Sequence, residues 1–234
     1  MSEFFQDFAR QFSLNFIEGD RWKIILNGLL VTLQITFFAV IIGIVLGFAV
    51  GLVRAANERA GKLRFLSGIC RVYVTVIRGT PVMVQLLIIY FVVFMSVSVD
   101  KKFAAILAFG INSGAYVSEI FRSGILSVDI GQTEAGRSLG LTGAQTMRRI
   151  VLPQAVKNAL PALGNEFISL LKETSVVGYI GLVDLTKSYA IIQSRTYSAF
   201  FPLMAIALIY LLLVLGLTKL LGLLERRLRA SDKH

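Results

Sequence analysis

The sequence predicts an all-α membrane protein built on five transmembrane helices, and three observations carry that prediction. Of its 234 residues, 56% are hydrophobic and only 16% are charged, with a mean hydropathy of +0.74; soluble domains carry roughly 25% charged residues. Uncharged runs exceed the ~20 residues that a helix needs to cross a hydrocarbon core of ~30 Å. Lysine and arginine also collect in particular connections, as the positive-inside rule requires.

The N-terminal segment, residues 1–20, is acidic and aromatic rather than basic and then apolar, which argues against a cleaved signal. Its Phe4, Phe5, Phe8, Phe12 and Phe16, with Trp22, predict an amphipathic segment anchored at the outer interface. The first span, residues 24–53, holds no charge and is bracketed by Lys23 and Arg54. The second, residues 65–99, is charge-free after Arg78, and Arg78-Gly79-Thr80-Pro81 should bend or break it. Arg78 could touch substrate, but near the cytoplasmic end of this span it is expected to snorkel or pin the bend. The third span, residues 103–125, carries Asn112, Tyr116, Glu119 and Arg122. The fourth covers residues 159–182 and the fifth residues 200–224, with Lys219 snorkelling near the inner face.

Five spans place the termini on opposite sides. The connection after the first span holds Arg54, Arg59, Lys62, Arg64 and Arg71 against Glu58; the C-terminal tail holds Arg226, Arg227, Arg229 and Lys233 against Glu225 and Asp232. Only Lys101 and Lys102 run against the trend. The N-terminus is therefore expected outside and the C-terminus in the cytoplasm, with residues 129–153 forming a cytoplasmic loop. The same loop charges account for the net charge of +10 without nucleic acid as a partner. Cys70 is the single cysteine and His234 the single histidine, so no internal disulfide, metal site or histidine-based catalytic site is expected, and no cofactor. The chain reads as one domain, 1–234.

The loop has its own organisation. Residues 129–139 predict a short helix with Asp129 and Glu134 in its first half, where the helix dipole favours them. Gly140 can end it in a left-handed conformation. Thr142 can cap a second helix over 143–151, which Pro153 should stop before the next span. Two short helices joined by a turn make a knob suited to a groove on a soluble partner.

Glu134-Ala135-Gly136, with Gly140 after three intervening residues and Leu152-Pro153 behind Ile150, resembles the EAA loop of ATP-binding-cassette importer permeases. That family usually has alanine third in the motif; Gly136 should loosen the helix by up to ~1 kcal/mol. Val76-Ile77-Arg78-Gly79-Thr80-Pro81, Ile111-Asn112-Ser113-Gly114-Ala115-Tyr116 with Glu119-Ile120, and Leu160 to Phe167 resemble the polar-amino-acid branch. The resemblance implies the type I importer fold in a bacterial cytoplasmic (inner) membrane. It also implies two ATPase subunits, a second permease (identical or related) and an extracytoplasmic amino-acid-binding protein. Glu134, Ala135, Gly136, Gly140, Leu152 and Pro153 would then form the coupling element, and ATP hydrolysis would belong to the partner, since the chain has no G-x-x-x-x-G-K-[ST] sequence.

Polar residues within hydrocarbon usually face the interior or a water-filled path. Asn112, Tyr116, Glu119 and Ser123 share one stripe of the third span, and Asn165, Glu166, Ser169, Lys172 and Glu173 fall within one arc of the fourth. Together they can hold a zwitterion: Lys172 with Thr174 or Ser175 for the carboxylate, Glu173 or Glu119 for the ammonium. Unwinding at Gly178 and Gly181 would add backbone donors. The competing reading is that these charges pair with each other, Glu119 with Arg122 or Lys172 with Glu166, and only hold helices together. Two carboxylates near one site favour a substrate with a cationic side chain. An ion-coupled secondary transporter or channel relaying through Glu119 and Glu173 is the alternative function, but a channel has no use for a docking knob. Lipid is the one other partner implied.

Overall fold

The computed structural model describes residues 2–61 and 63–230. Lys62, Asp232, Lys233 and His234 lie outside the described residues, as do the side chains of Phe4 and Arg229. Helix α1 (Ser2–Phe12) is amphipathic and passes through tight turns at Gly19 and Asp20 into α2 (Arg21–Ala60). The second segment is α3 (Arg64–Arg78) and α4 (Val82–Ile88), the latter prolonged by a π turn, Ile89–Val93. Then come α5 (Lys101–Leu126), the loop helices α6 (Ile130–Ser138) and α7 (Gly143–Thr146), and α8 (Leu152–Glu173). A 3-10 segment, Thr174–Ile180, leads to α9 (Leu185–Thr196) and α10 (Phe200–Ala230). Among the described residues, 3 helices are long and apolar enough to cross a membrane, or up to 5 if each bent pair forms one span.

The central pair is α2 against α5, packed backbone to backbone. A side chain at Gly47 would come within 2.6 Å of Val117, and Gly43 and Gly51 likewise face Ser113 and Ser118. The pair is antiparallel: Lys102 Nζ donates to Gln34 Oε1 (2.8 Å) at one end, and Arg59 reaches Val128 O (2.8 Å) at the other. The largest buried cluster, including Ile35, Leu86, Phe109, Leu170 and Val177, joins this pair to α4 and α8. Tyr73 of α3 donates to Ile111 O of α5 (2.6 Å).

The second segment breaks where the sequence predicts, with a bend of 105° between Arg64–Arg78 and Val82–Val93. Gln85 pins it, donating to Ile77 O (2.7 Å) and Thr80 O (3.1 Å) across the break. Arg78 is thus neither the pin nor near the start of α3, because α3 has already climbed about 21 Å from Arg64.

The fourth segment differs more. Pro153 does not stop a helix. It lies within a continuous run, Gly143–Ile180, because a π turn over Met147–Val151 accommodates it in the first turn of α8, where a missing N–H costs little. That run bends by 47° into α9. Helix α9 lies antiparallel along α2: Leu185 N donates to Thr32 Oγ1 (3.1 Å), Ser188 Oγ to Ile24 O (3.0 Å), and Thr196 Oγ1 to Asn15 Oδ1 (3.1 Å). Asp184, which caps α9, and Lys187 and Arg195 within it therefore belong to a packed element between the fourth and fifth expected spans.

Candidate functional site

Two places gather functional side chains. The first is the 129–153 loop, whose shape follows from local chemistry. Asp129 caps α6, accepting from Gly131 N (2.6 Å). At the other end Gly140 has φ +84°, with Gly140 N donating to Arg137 O (3.0 Å) and Leu141 N to Gly136 O (3.1 Å). This is a Schellman closure, which a β-carbon would strain. Thr142 and Gln145 then form a reciprocal capping box on α7. Gly136 is buried against Thr146 and Ile150, which an added β-carbon would meet at 2.8 Å. The glycine that should loosen α6 instead lets it lie flat on α7. Glu134 and Ala135 are exposed, and Leu139 is 82% exposed at the apex. Leu152 is half-buried and Pro153 exposed at the base of α8.

The second place is the break after Arg78. The guanidinium of Arg78 lies over the ring of Tyr116, 5.2 Å from its centroid. Asn112, buried on the same helix, donates to Gln85 Oε1 (2.9 Å), and its own Oδ1 is buried with no hydrogen-bond partner among the described residues. Across from it, Ser113 Oγ donates to Glu166 Oε1 (2.9 Å). Glu166 is within electrostatic reach of Arg78 and of Glu173, two turns further along α8 on the same face. Ser169, half-buried, lies between the two acids on that face. A cation, two carboxylates and an unused acceptor thus converge beside a helix break, with partial neutralisation only.

The remaining predicted residues lie elsewhere. Glu119 pairs with Arg54 and with Arg122 Nη2 (2.8 Å), and Arg122 Nη1 also meets Glu58 (3.0 Å). Asn165 is exposed and donates to its own helix at Pro161 O (3.1 Å); Thr174 is buried and donates to Leu171 O (2.9 Å). Lys172 and Ser175 line a cavity of ≈ 300 Å³ with Thr186, Tyr210, Leu203 and Ile206. The polar arc of α8 is wide enough to address two neighbours: Glu166 faces α5, while Lys172 faces α9 and α10. Where backbone donors were expected, at Gly178 and Gly181, the chain forms a 3-10 segment, Thr174–Ile180, and Gly181 N donates to Gly178 O (3.1 Å); beyond it Asp184 caps α9, accepting from Thr186 N (3.1 Å) and Lys187 N (2.9 Å).

Sequence reasoning passed over Arg78, Gln85 and Ser113 as site residues. Arg78 and Gln85 had a readable signal: each is a lone polar side chain beside a Gly-Thr-Pro break in apolar sequence. Ser113 had none, since small hydroxyls are common in packed helices.

Residues 39–230 match the family described as binding-protein-dependent transport system inner membrane component. The chain is 40% identical over 210 residues to the arginine transport system permease protein of Bacillus subtilis, covering 89% of this chain and 94% of that protein. It is 35% identical over 209 residues to the glutamine transport system permease protein of Escherichia coli, covering 88% and 93% respectively. A crystal structure of an amino acid ABC transporter with histidines superposes with a TM-score of 0.81 at 46% identity, over 88% of this chain and 94% of that one.

Proposed function

This chain belongs to the family of binding-protein-dependent transport system inner membrane components, with the type I importer permease fold, and we propose the following working arrangement for it. It is the permease subunit of an ATP-driven amino-acid importer in a bacterial cytoplasmic membrane, with its N-terminus outside and its C-terminus in the cytoplasm. It does no chemistry itself; two partner ATPases hydrolyse ATP, a second permease completes the pathway, and an extracytoplasmic binding protein delivers substrate.

The observation that carries this reading is the preformed loop. Its backbone is closed by caps of its own, and its motif residues Glu134 and Ala135 stay exposed beside the apex at Leu139. Such a knob can transmit force because it need not fold on contact. The substrate stands at the break: Arg78 takes the carboxylate, Glu166 and Glu173 face the cationic end, and Asn112 Oδ1 and Tyr116 border it. Lys172 and Ser175 form an adjoining lobe. One cation against two acids fits an amino acid with a basic side chain. The ion-coupled alternative is disfavoured, because Glu119 already has both oxygens engaged by arginines.

The test is a mild detergent purification of the chain from its native membrane, followed by reconstitution with whatever ATPase accompanies it. Gly140→Val forces a branched side chain into the left-handed region, at ~1–2 kcal/mol, and should cut uptake per ATP while the protein stays in the membrane. Recovery of the chain with no ATPase, or coupled uptake in Gly140→Val equal to the parent, would reject the reading.

A further inference from the structure

In sequence Arg59 is one positive charge among several in the connection after the first span. In the structure it does something more specific. One of its terminal nitrogens donates to two backbone carbonyls, Ile125 O (2.5 Å) and Val128 O (2.8 Å). The other donates to Thr133 Oγ1 (3.3 Å) on α6. Ile125 lies in the last turn of α5, its carbonyl also accepting a long bond from Val128 N (3.4 Å), and Val128 lies just beyond, where the helix dipole is negative. A planar guanidinium suits such a fork of acceptors, and an ammonium does not. One side chain therefore links the end of α2, the end of α5 and the first helix of the loop.

The surroundings make that link stiff. Beneath it Ala55, Ile125, Val128, Val151 and Ala155 form a buried apolar cluster that joins α2 and α5 to the base of α8. Arg54, five residues back along α2, pairs with Glu119, and the adjacent Glu58 with Arg122. Those pairs join α2 to α5 only. Arg59 is the member of this charged series that extends the connection into α6.

We propose that Arg59 is a positioning residue for energy coupling: it makes the 129–153 loop and the ends of α2 and α5 one body, so that displacement of the loop moves the bundle. The proposal rests on the reading of that loop as the contact for the ATPase.

The test uses the intact complex of permease, ATPase and binding protein in proteoliposomes, offered labelled arginine, glutamine and cystine in turn. Leu139→Cys at the exposed apex reports docking by cross-linking to the ATPase; the native Cys70 is buried. Arg59→Ala and Arg59→Lys should retain the cross-link and continue to hydrolyse ATP, while uptake per ATP falls about tenfold. Thr133→Val, which removes one contact of three, should show a smaller fall in the same ratio and serves if Arg59→Ala does not accumulate. Unchanged uptake per ATP in Arg59→Ala overturns the proposal. So does full rescue by lysine, which would leave only a charge requirement, or loss of the cross-link in Arg59→Ala, which would reduce Arg59 to a folding contact. Absence of the cross-link with Arg59 intact rejects the docking reading itself, and is distinguishable because it needs no Arg59 variant.

Discussion

The molecule holds two clusters of charge between its helices, and they are finished to different degrees. In the first, Arg54, Glu58, Glu119 and Arg122 neutralise one another, and each acid faces at least one arginine at ion-pair distance. In the second, Arg78 stacks on Tyr116, Glu166 has a serine hydroxyl, and Asn112 Oδ1 has no partner among the described residues. Removing charge from water is costly unless partners compensate it. The first cluster compensates internally and so acts as structure. The second leaves capacity unused, which suits a ligand carrying both signs.

That contrast can be broken experimentally. The largest effect is expected from Glu119→Ala, which leaves Arg54, with a side chain only 11% exposed, without its partner. A loss of ~3 kcal/mol in stability is expected, read as a lower thermal midpoint of the purified protein. A midpoint that does not move would deny the first cluster its structural role. Next comes Glu166→Gln, which preserves an acceptor for Ser113 but removes the charge. Uptake should fall about 10- to 100-fold, the scale of a charge-assisted hydrogen bond, with the midpoint nearly unchanged. The reverse pattern, a lower midpoint with normal uptake, would place Glu166 in the first category. The smallest effect is expected from Tyr116→Leu, which removes the ring under Arg78 and should weaken apparent affinity by ~0.5–1 kcal/mol, whereas Tyr116→Phe should not. Equal losses in both would identify the hydroxyl as the contact.

The same division explains what could be read from sequence. The loop was legible because its determinants are local: Asp129 with Gly131, Thr142 with Gln145, and Gly140 with Arg137 all act within three residues. The break at Gly79–Pro81 was legible for the same reason. The charged surroundings of that break were not. Hydropathy drew the fourth span at 159–182, but the helix begins at Gly143 and α9 continues along α2, a packing choice set by Thr32, Ser188 and Asn15 far apart in sequence. Arg78 was placed too near the start of its span, because counting apolar residues ignored the amphipathic α3 before it. The polar arc on α8 was found, yet its division between two neighbours depends on which helices stand beside it. Arg59 looked like one loop charge among several because its acceptors are backbone carbonyls, which every sequence has.

The unbroken helix through Pro153 has a mechanical consequence. Residues 143–173 form a rod of about 45 Å, with the knob at one end and Glu173 at the other. Asn158 stands midway along it and donates to Ser127 Oγ (2.9 Å) at the end of α5, close to the buried contact of Ala155 and Ile125. That contact ties the rod to the end of α5, on the same side of its midpoint as the knob. A push on the knob therefore reaches the level of the carboxylates along one continuous helix that is held to α5 on the way, with no loop between them to absorb it.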